Sequence, residues 1–213
     1  MKKLPRKTRE FLRHRAEILD VALELFSEKG FHNVTMQEIS RKSEFSVGTL
    51  YKFFPNKEEL YRALFLEKAE EFNLAMQEAL ERNDDEITAI RNFIEQHIRL
   101  FMENLRFVQL YLAETRGARF NIGMGMENEI REKHRAFLEK LSGIFKRGIE
   151  KGLFADVDPH LLALSLEGII HAFLVNHLEE PESHPFDTDL IMKLFFGKVL
   201  KTGVEGSSTY DGT

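Results

Sequence analysis

Apolar residues recur along this chain with the period of a helix. Ile18, Val21, Ala22, Leu25 and Phe26 stand at i, i+3, i+4, i+7 and i+8, which puts one apolar stripe on a helix predicted over about residues 8–29. Gly30 follows, placed to close that helix in a left-handed conformation. Thr35-Met36-Gln37-Glu38 reads as a capping box, in which the Thr35 hydroxyl and the Glu38 carboxylate satisfy free amides at the start of a short helix over 36–43. Ser46 is set to cap a third helix over 47–53, which Pro55 ends because the residue before a proline disfavours helical geometry. Asn56-Lys57-Glu58-Glu59 opens a long fourth helix to about residue 81. Two short helices around a brief turn at Glu44-Phe45, behind a longer helix, make a helix-turn-helix pattern.

The helical period continues beyond Asn83-Asp84-Asp85. Residues 87–104 carry Ile90, Phe93, Ile94, His97, Ile98 and Phe101 on one face, and 106–115 carry Val108, Tyr111 and Leu112. Gly117, Gly123 and Gly125 mark 116–127 as a loop or broken helix. Residues 127–151 resume with Ile130, Phe137, Leu141, Ile144, Phe145 and Ile149 inward, and Gly152 stands beyond their end. Asp158-Pro159 then opens a helix with an Asp cap and Pro at its first position. That helix, to about residue 178, is apolar on nearly every side, and a last one starts at Asp187 or Thr188. No strand pattern and no internal repeat occurs. The expected fold is all-α, about nine helices. A three-helix head spans 1–57, a larger bundle spans 58–201, and a Gly/Ser/Thr tail poor in apolar residues spans 202–213.

Composition narrows the function classes. The 213 residues include no Cys, which excludes a disulfide scaffold, a thiol nucleophile and Cys-ligated metal. No run of about 18 apolar residues is present, so no membrane span is expected. Residues 1–15 are basic but lack the apolar stretch and small-residue cleavage site of a signal peptide. The expectation is a soluble, cytoplasmic protein. The net charge of −5 conceals a division: residues 1–57 hold 12 Lys/Arg against 7 Asp/Glu, and the remaining residues hold 18 against 28. A head of +5 on a body of −10 points to a polyanion partner for the head, or to a solvated basic tail.

No phosphate-binding loop and no nucleophile elbow is present. Gly123-Met124-Gly125 lacks a preceding strand. A di-iron bundle needs Glu-x-x-His on two helices, and none of the eight His has Glu three residues before it. Neither a catalytic residue, a metal site nor a cofactor is expected. Thirteen of the 19 Phe lie after residue 57. Most must be core, yet Phe65, Phe72, Phe93, Phe101, Phe107, Tyr111, Phe137 and Phe173 can also line a pocket for a large apolar ligand, with His97 or His134 as a polar contact. Arg116 and Arg119 offer either an anion contact or a solvated loop. His97, His134, His171 and His177 are also readable as ordinary bundle histidines.

The run Val34-Thr35-Met36-Gln37-Glu38-Ile39, continued by Ser46-Val47-Gly48-Thr49-Leu50-Tyr51-Lys52-Phe53-Phe54-Pro55-Asn56-Lys57, closely resembles the DNA-binding head of the TetR family of bacterial transcriptional regulators. The preceding stretch 18–31, ending Phe26…Lys29-Gly30-Phe31, matches as well. A recognition helix needs small or polar outward residues so that its backbone can lie close to bases and phosphates. Ser46, Val47, Gly48, Thr49, Tyr51 and Lys52 supply that face, while Leu50 and Phe54 anchor the helix inward. The resemblance implies that Val47, Gly48 and Thr49 approach bases and that Tyr51 reaches the backbone or a thymine methyl. It also implies that Thr35 and Lys57 bind phosphate at helix N-termini. Gln37 can hydrogen-bond a base edge. The residue-level alternatives are that Thr35 only caps, that Tyr51 only packs, and that Lys57 is only solvated. Lys2, Lys3, Arg6, Lys7 and Arg9 either follow the adjacent groove or form a disordered tail.

The resemblance further implies a homodimer in which the last two helices pair across a two-fold axis, with Leu162, Leu166, Ile169, Phe173, Leu190, Leu194 and Phe195 at the interface and Gly168 allowing close approach. The implied function is a repressor that binds double-stranded, palindromic operator DNA and is released by a small, largely apolar effector. The other class left open is a helical ligand-binding protein whose basic head docks an acidic protein.

Overall fold

A computed structural model of the chain describes residues 4–81, 85–115, 127–184 and 186–199. Among the described residues the chain forms nine α-helices: α1 (Arg6–Lys29), α2 (Met36–Lys42), α3 (Val47–Phe53), α4 (Lys57–Glu81), α5 (Glu86–Glu103), α6 (Leu105–Thr115), α7 (Glu127–Glu150), α8 (Pro159–Glu179) and α9 (Thr188–Val199). All stand within two residues of the bounds the apolar period predicts. The predicted loop over 116–126, with Arg116 and Arg119, and the tail over 202–213 lie outside the described residues, as do Lys2 and Lys3.

Caps fix the helix starts. Thr35 Oγ1 accepts from Glu38 N at 3.2 Å, and Ser46 Oγ accepts from Thr49 N at 3.1 Å. Asn56 Oδ1 accepts from Glu59 N at 2.7 Å, and Asp158 Oδ1 from His160 N at 2.7 Å. Asp187 Oδ1 accepts from Leu190 N at 3.0 Å, which settles Asp187 as the cap of α9. In the expected capping box at Thr35 the Glu38 carboxylate is shared, with the Thr35 backbone N–H acting on it alongside the Lys29 ammonium. The Glu38 carboxylate turns to the Lys29 ammonium, which lies across from it at the end of α1, and that hydrogen bond lowers its pKa. Gly30 closes α1 with φ 75° and its N–H on Phe26 O. A 3₁₀ turn, Phe31–Asn33, follows it.

The chain divides into two compact units, Met1–Phe72 with Phe101–Glu132, and Asn73–Leu100 with Lys133–Thr213. The first compact unit therefore extends beyond residue 57. Phe107 and Leu110 of α6 share one buried core with Ile18, Ala22, Phe26, Leu50, Leu60 and Phe65. That shared burial draws α6 and the first four turns of α4 into the same unit as α1–α3.

The second unit has its own core. Phe145 packs Phe154 and Phe195 with centroids 5.6 and 5.5 Å apart, and Phe154 packs Phe196 at 5.5 Å. The Phe154 ring lies directly on Gly148 of α7: a Cβ there would stand 2.1 Å from it. Helix α8 is long and apolar enough to cross a bilayer by length and composition. Here it is a core helix on one face, burying Leu162, Ala163, Leu166, Ile170 and Leu174 within the unit.

Candidate nucleic-acid interface and effector residues

The helix-turn-helix is built from α2, the turn over residues 43–46, and α3. The turn is tight because Glu44 takes φ 58°, a left-handed conformation uncommon outside glycine. Buried Ser40 fastens it by donating from Oγ to Phe45 O at 2.6 Å. Neither residue stands out in the sequence, since a Ser within a short helix and a Glu after it carry no motif.

Leu50 and Phe54 anchor α3 in the core, at 0% and 3% exposure. The residues expected to meet DNA lie on the other side. Thr35, Gln37, Ser46, Gly48, Tyr51 and Lys52 are exposed, and Val47 and Thr49 are partly so. Tyr51 is not a packed aromatic: the residue is 47% exposed on the outer face of α3. Gly48 is open, with only Ser46 Oγ, 3.9 Å away, near where a Cβ would stand. Packing within the chain does not call for glycine there, and glycine inside a helix costs about 1 kcal/mol relative to alanine.

Lys57 is not a solvated charge either. Its ammonium donates to Phe31 O at 2.8 Å and Val34 O at 2.9 Å, and sits 4.2 Å from the centroid of the Phe31 ring. It thereby ties the 3₁₀ turn to the start of α4, beside the exposed Thr35. Two of its three protons are used, and one remains for an outside acceptor. Arg6, Lys7 and Arg9 are carried on α1 rather than on a loose tail, and Arg6, Arg9 and Arg13 line one shallow cleft with Glu10. Phe11 of α1 stacks on Phe53 of α3 at 4.7 Å, bracing the recognition helix from its C-terminal end.

The ten aromatic and histidine residues suggested for an effector do not fall in one compact unit. Phe65, Phe72, Phe101, Phe107 and Tyr111 belong to the first, where Phe65 meets Tyr61 at 4.7 Å and Phe107 at 5.2 Å. Phe65 and Phe107 are thus core of the head. The other five belong to the second unit. There Phe93 stands 5.6 Å from the His97 ring, edge-on, and 5.4 Å from Phe137, and His134 stacks on Phe137 at 6.4 Å. Phe173 is half-buried.

His134 Nε2 meets the Glu167 carboxylate at 2.7 and 3.0 Å, and that hydrogen bond raises its pKa. His97 behaves oppositely. Burial pushes its imidazole down to about 4, against the opposing pull of Glu167 and with the help of His171. The unfolded chain then binds more protons than the native one between about pH 4 and pH 6.5, so stability from His97 is lost as pH falls through that window. Urea unfolding at pH 7 and pH 4.5 is expected to show a loss that shrinks by about 2–3 kcal/mol in a His97→Phe variant. The same acid loss in both proteins would remove His97 from the account. The stabilisation from His134 has the other sign, present at low pH and lost as pH rises through its raised pKa.

The dimer residues expected from the sequence separate by face. Leu162, Leu166 and Phe195 are buried at 5%, 0% and 3% exposure. They pack inside the chain and are not free for a partner, because the inward stripe of α8 and α9 closes the core of the second unit. Leu190 and Leu194 are exposed, and Ile169 and Phe173 are partly so. Two stripes face outward: Leu161, Leu164 and Gly168 on α8, and Leu190, Leu194 and Gly197 on α9. Added Cβ atoms at Gly168 and Gly197 would meet nothing.

Comparison with known proteins agrees with this geometry. The family description "Bacterial regulatory proteins, tetR family" matches residues 18–64, and "Tetracyclin repressor-like, C-terminal domain" matches residues 83–174. The chain is 29% identical over 139 residues to the fatty acid metabolism regulator protein of Bacillus subtilis, covering 64% of this chain and 68% of that one. Its fold is shared with the crystal structure of the transcriptional regulator FadR from Bacillus subtilis in complex with stearoyl-CoA (TM-score 0.68, 22% identity, 84% of this chain and 96% of that one). It is shared also with the SmeT–triclosan complex (TM-score 0.70, 22% identity, 94% and 98%), SmeT being a repressor from Stenotrophomonas maltophilia.

Proposed function

Because the chain belongs to the TetR family of bacterial regulatory proteins, and so is a ligand-responsive DNA-binding regulator, we propose that it is a repressor, binding a palindromic operator as a homodimer and released by a small, largely apolar effector. The observation that carries the DNA-facing part is α3. Its inner side is locked by Leu50 and Phe54, while Gly48, Tyr51 and Lys52 stand outward with no intramolecular task. Thr35 and Lys57 flank it as phosphate contacts, and Gln37, Val47 and Thr49 are its base-edge candidates.

The dimer reading rests on the outward stripes of α8 and α9. Exposed leucines at helical spacing beside glycines give two flat apolar ridges that a second copy can cover by isologous pairing. Two heads would then meet half-sites about 34–36 Å apart. Effector control follows from the continuity of α4, which begins beside the recognition helix at Lys57 and ends in the second unit. A ligand that favours one tilt of α4 favours one spacing of the heads, and it releases DNA if that spacing misfits the operator. This role places the protein in the cytoplasm, with the operator. A family resemblance to fatty-acid regulators supports an apolar effector without naming it.

The test is titration of the protein against DNA from upstream of its own gene, followed by fluorescence anisotropy at several salt concentrations. With about four phosphate contacts per subunit, the log–log salt slope is expected near about −7. A flat response rules out the operator. In parallel, Leu194→Asp is expected to yield monomers in analytical ultracentrifugation and to abolish the tight operator complex. A variant that remains dimeric moves the interface away from α9.

A further inference from the structure

Among the described residues of the second unit, two buried side-chain atoms lack a hydrogen-bond partner, Ser142 Oγ and His97 Nδ1. His97 Nδ1 is sealed from solvent and has no hydrogen-bond partner. Leaving such an atom unmade costs free energy comparable to a lost hydrogen bond, which is why buried polar atoms without partners are uncommon. Around it stand apolar rings, Phe93 edge-on at 5.6 Å and Phe137 beyond it. The charged and titratable groups that act on it are the Glu167 carboxylate and His171. Glu167 is already engaged by His134 at 2.7 Å.

We propose that His97 Nδ1 is the anchor for the polar end of the effector, and that this end is a neutral oxygen function, a hydroxyl or a carbonyl, rather than a carboxylate or phosphate. The inference rests on the reading of the chain as a regulator with an apolar effector. Imidazole suits either neutral group: Nδ1 accepts from a hydroxyl in one tautomer and donates to a carbonyl in the other. An anion is disfavoured by what surrounds the atom. A carboxylate placed there loses its water, faces a ring kept neutral by the same burial, and lies near the negative charge of Glu167. The apolar remainder of the ligand is matched by Phe93 and Phe137.

Three probes of equal chain length separate the chemistry: 1-dodecanol, methyl dodecanoate and dodecanoate, each displacing Nile red from the full-length protein at pH 7.5. The alcohol or the ester is expected to bind about tenfold tighter than dodecanoate, and whichever of the two leads identifies hydroxyl or carbonyl. His97→Phe is expected to weaken the leading neutral probe about tenfold while leaving operator affinity without probe unchanged, and His97→Asn, whose amide reaches the position of Nδ1, to restore most of it. The nitrogen-15 shift of His97 Nδ1 is expected to move when the neutral probe is added. Dodecanoate binding as tightly as the neutral probes, an unaffected His97→Phe variant, or an unmoved Nδ1 shift each overturns the proposal while leaving an apolar effector intact. Failure of all three probes to bind overturns the apolar-effector reading and this inference with it.

Discussion

Gly48→Val is expected to weaken operator binding by about a hundredfold while leaving the melting temperature of the protein unchanged or slightly raised. The two halves of this result have separate causes. Within the chain, the position is open, and a side chain there meets only Ser46 Oγ. Replacing a helical glycine removes a penalty of about 1 kcal/mol that any other residue of moderate helix propensity reduces. Against DNA, the added methyl groups stand on the outer face of α3 between Val47 and Thr49 and push the helix axis out of the groove. One base contact beside the intrusion is lost in each of two half-sites, and each lost contact is worth about 1–3 kcal/mol. The smaller Gly48→Ala is expected to have a weaker effect of the same sign. Anisotropy titration and thermal unfolding of the same preparations check both halves. An affinity unchanged in Gly48→Val would show that α3 does not approach DNA along this face.

Gly148→Leu is expected to destabilise the second unit by about 3–5 kcal/mol, the range of removing a large buried aromatic, because it must expel Phe154 from its seat. A Cβ at this position would stand 2.1 Å from the Phe154 ring, and that ring is fully buried between Phe145 and Phe196. The backbone around it is committed as well. Leu153 N donates to Gly148 O at 2.8 Å, and Gly152 turns the chain with φ 74°. Phe154 thus cannot retreat without undoing the end of α7. Chemical denaturation measures the loss, and a double variant with Phe154→Ala distinguishes the cause. If the clash is responsible, the second substitution adds much less than it does alone. Full additivity would place the cost elsewhere.

Most of the architecture was legible because helices announce themselves through spacing and caps. The stripe Ile18-Val21-Ala22-Leu25-Phe26 and the caps at Thr35, Ser46 and Asp158 each act locally, so local residues suffice to read them. The recognition helix was legible for the same reason, with Leu50 and Phe54 differing from their neighbours in hydrophobicity. What escaped was set by packing between distant segments. Helix α8 is apolar all round, so its sequence does not say whether Leu162 or Leu161 faces the core. The answer, 5% against 56% exposure, comes from the helices it meets. The extent of the first compact unit was hidden likewise, since Phe107 and Leu110 join a core whose other buried members stand more than forty residues earlier. The turn of the helix-turn-helix was placed correctly at Glu44-Phe45, but its fastening by Ser40 was not, because a hydroxyl within a helix has no marked partner in the sequence.

The tethering of Lys57 bears on the entropy of recognition. A free lysine side chain gives up about 2 kcal/mol of rotamer freedom when a phosphate fixes it. Lys57 has already given that up within the folded head, held by Phe31 O and Val34 O. Any phosphate that reaches its remaining proton meets an ammonium immobilised beforehand. Lys52, exposed on α3, must still be ordered at the moment of contact. Of two cations with equal charge, the one spent on holding the head together is therefore the better prepared to hold the DNA.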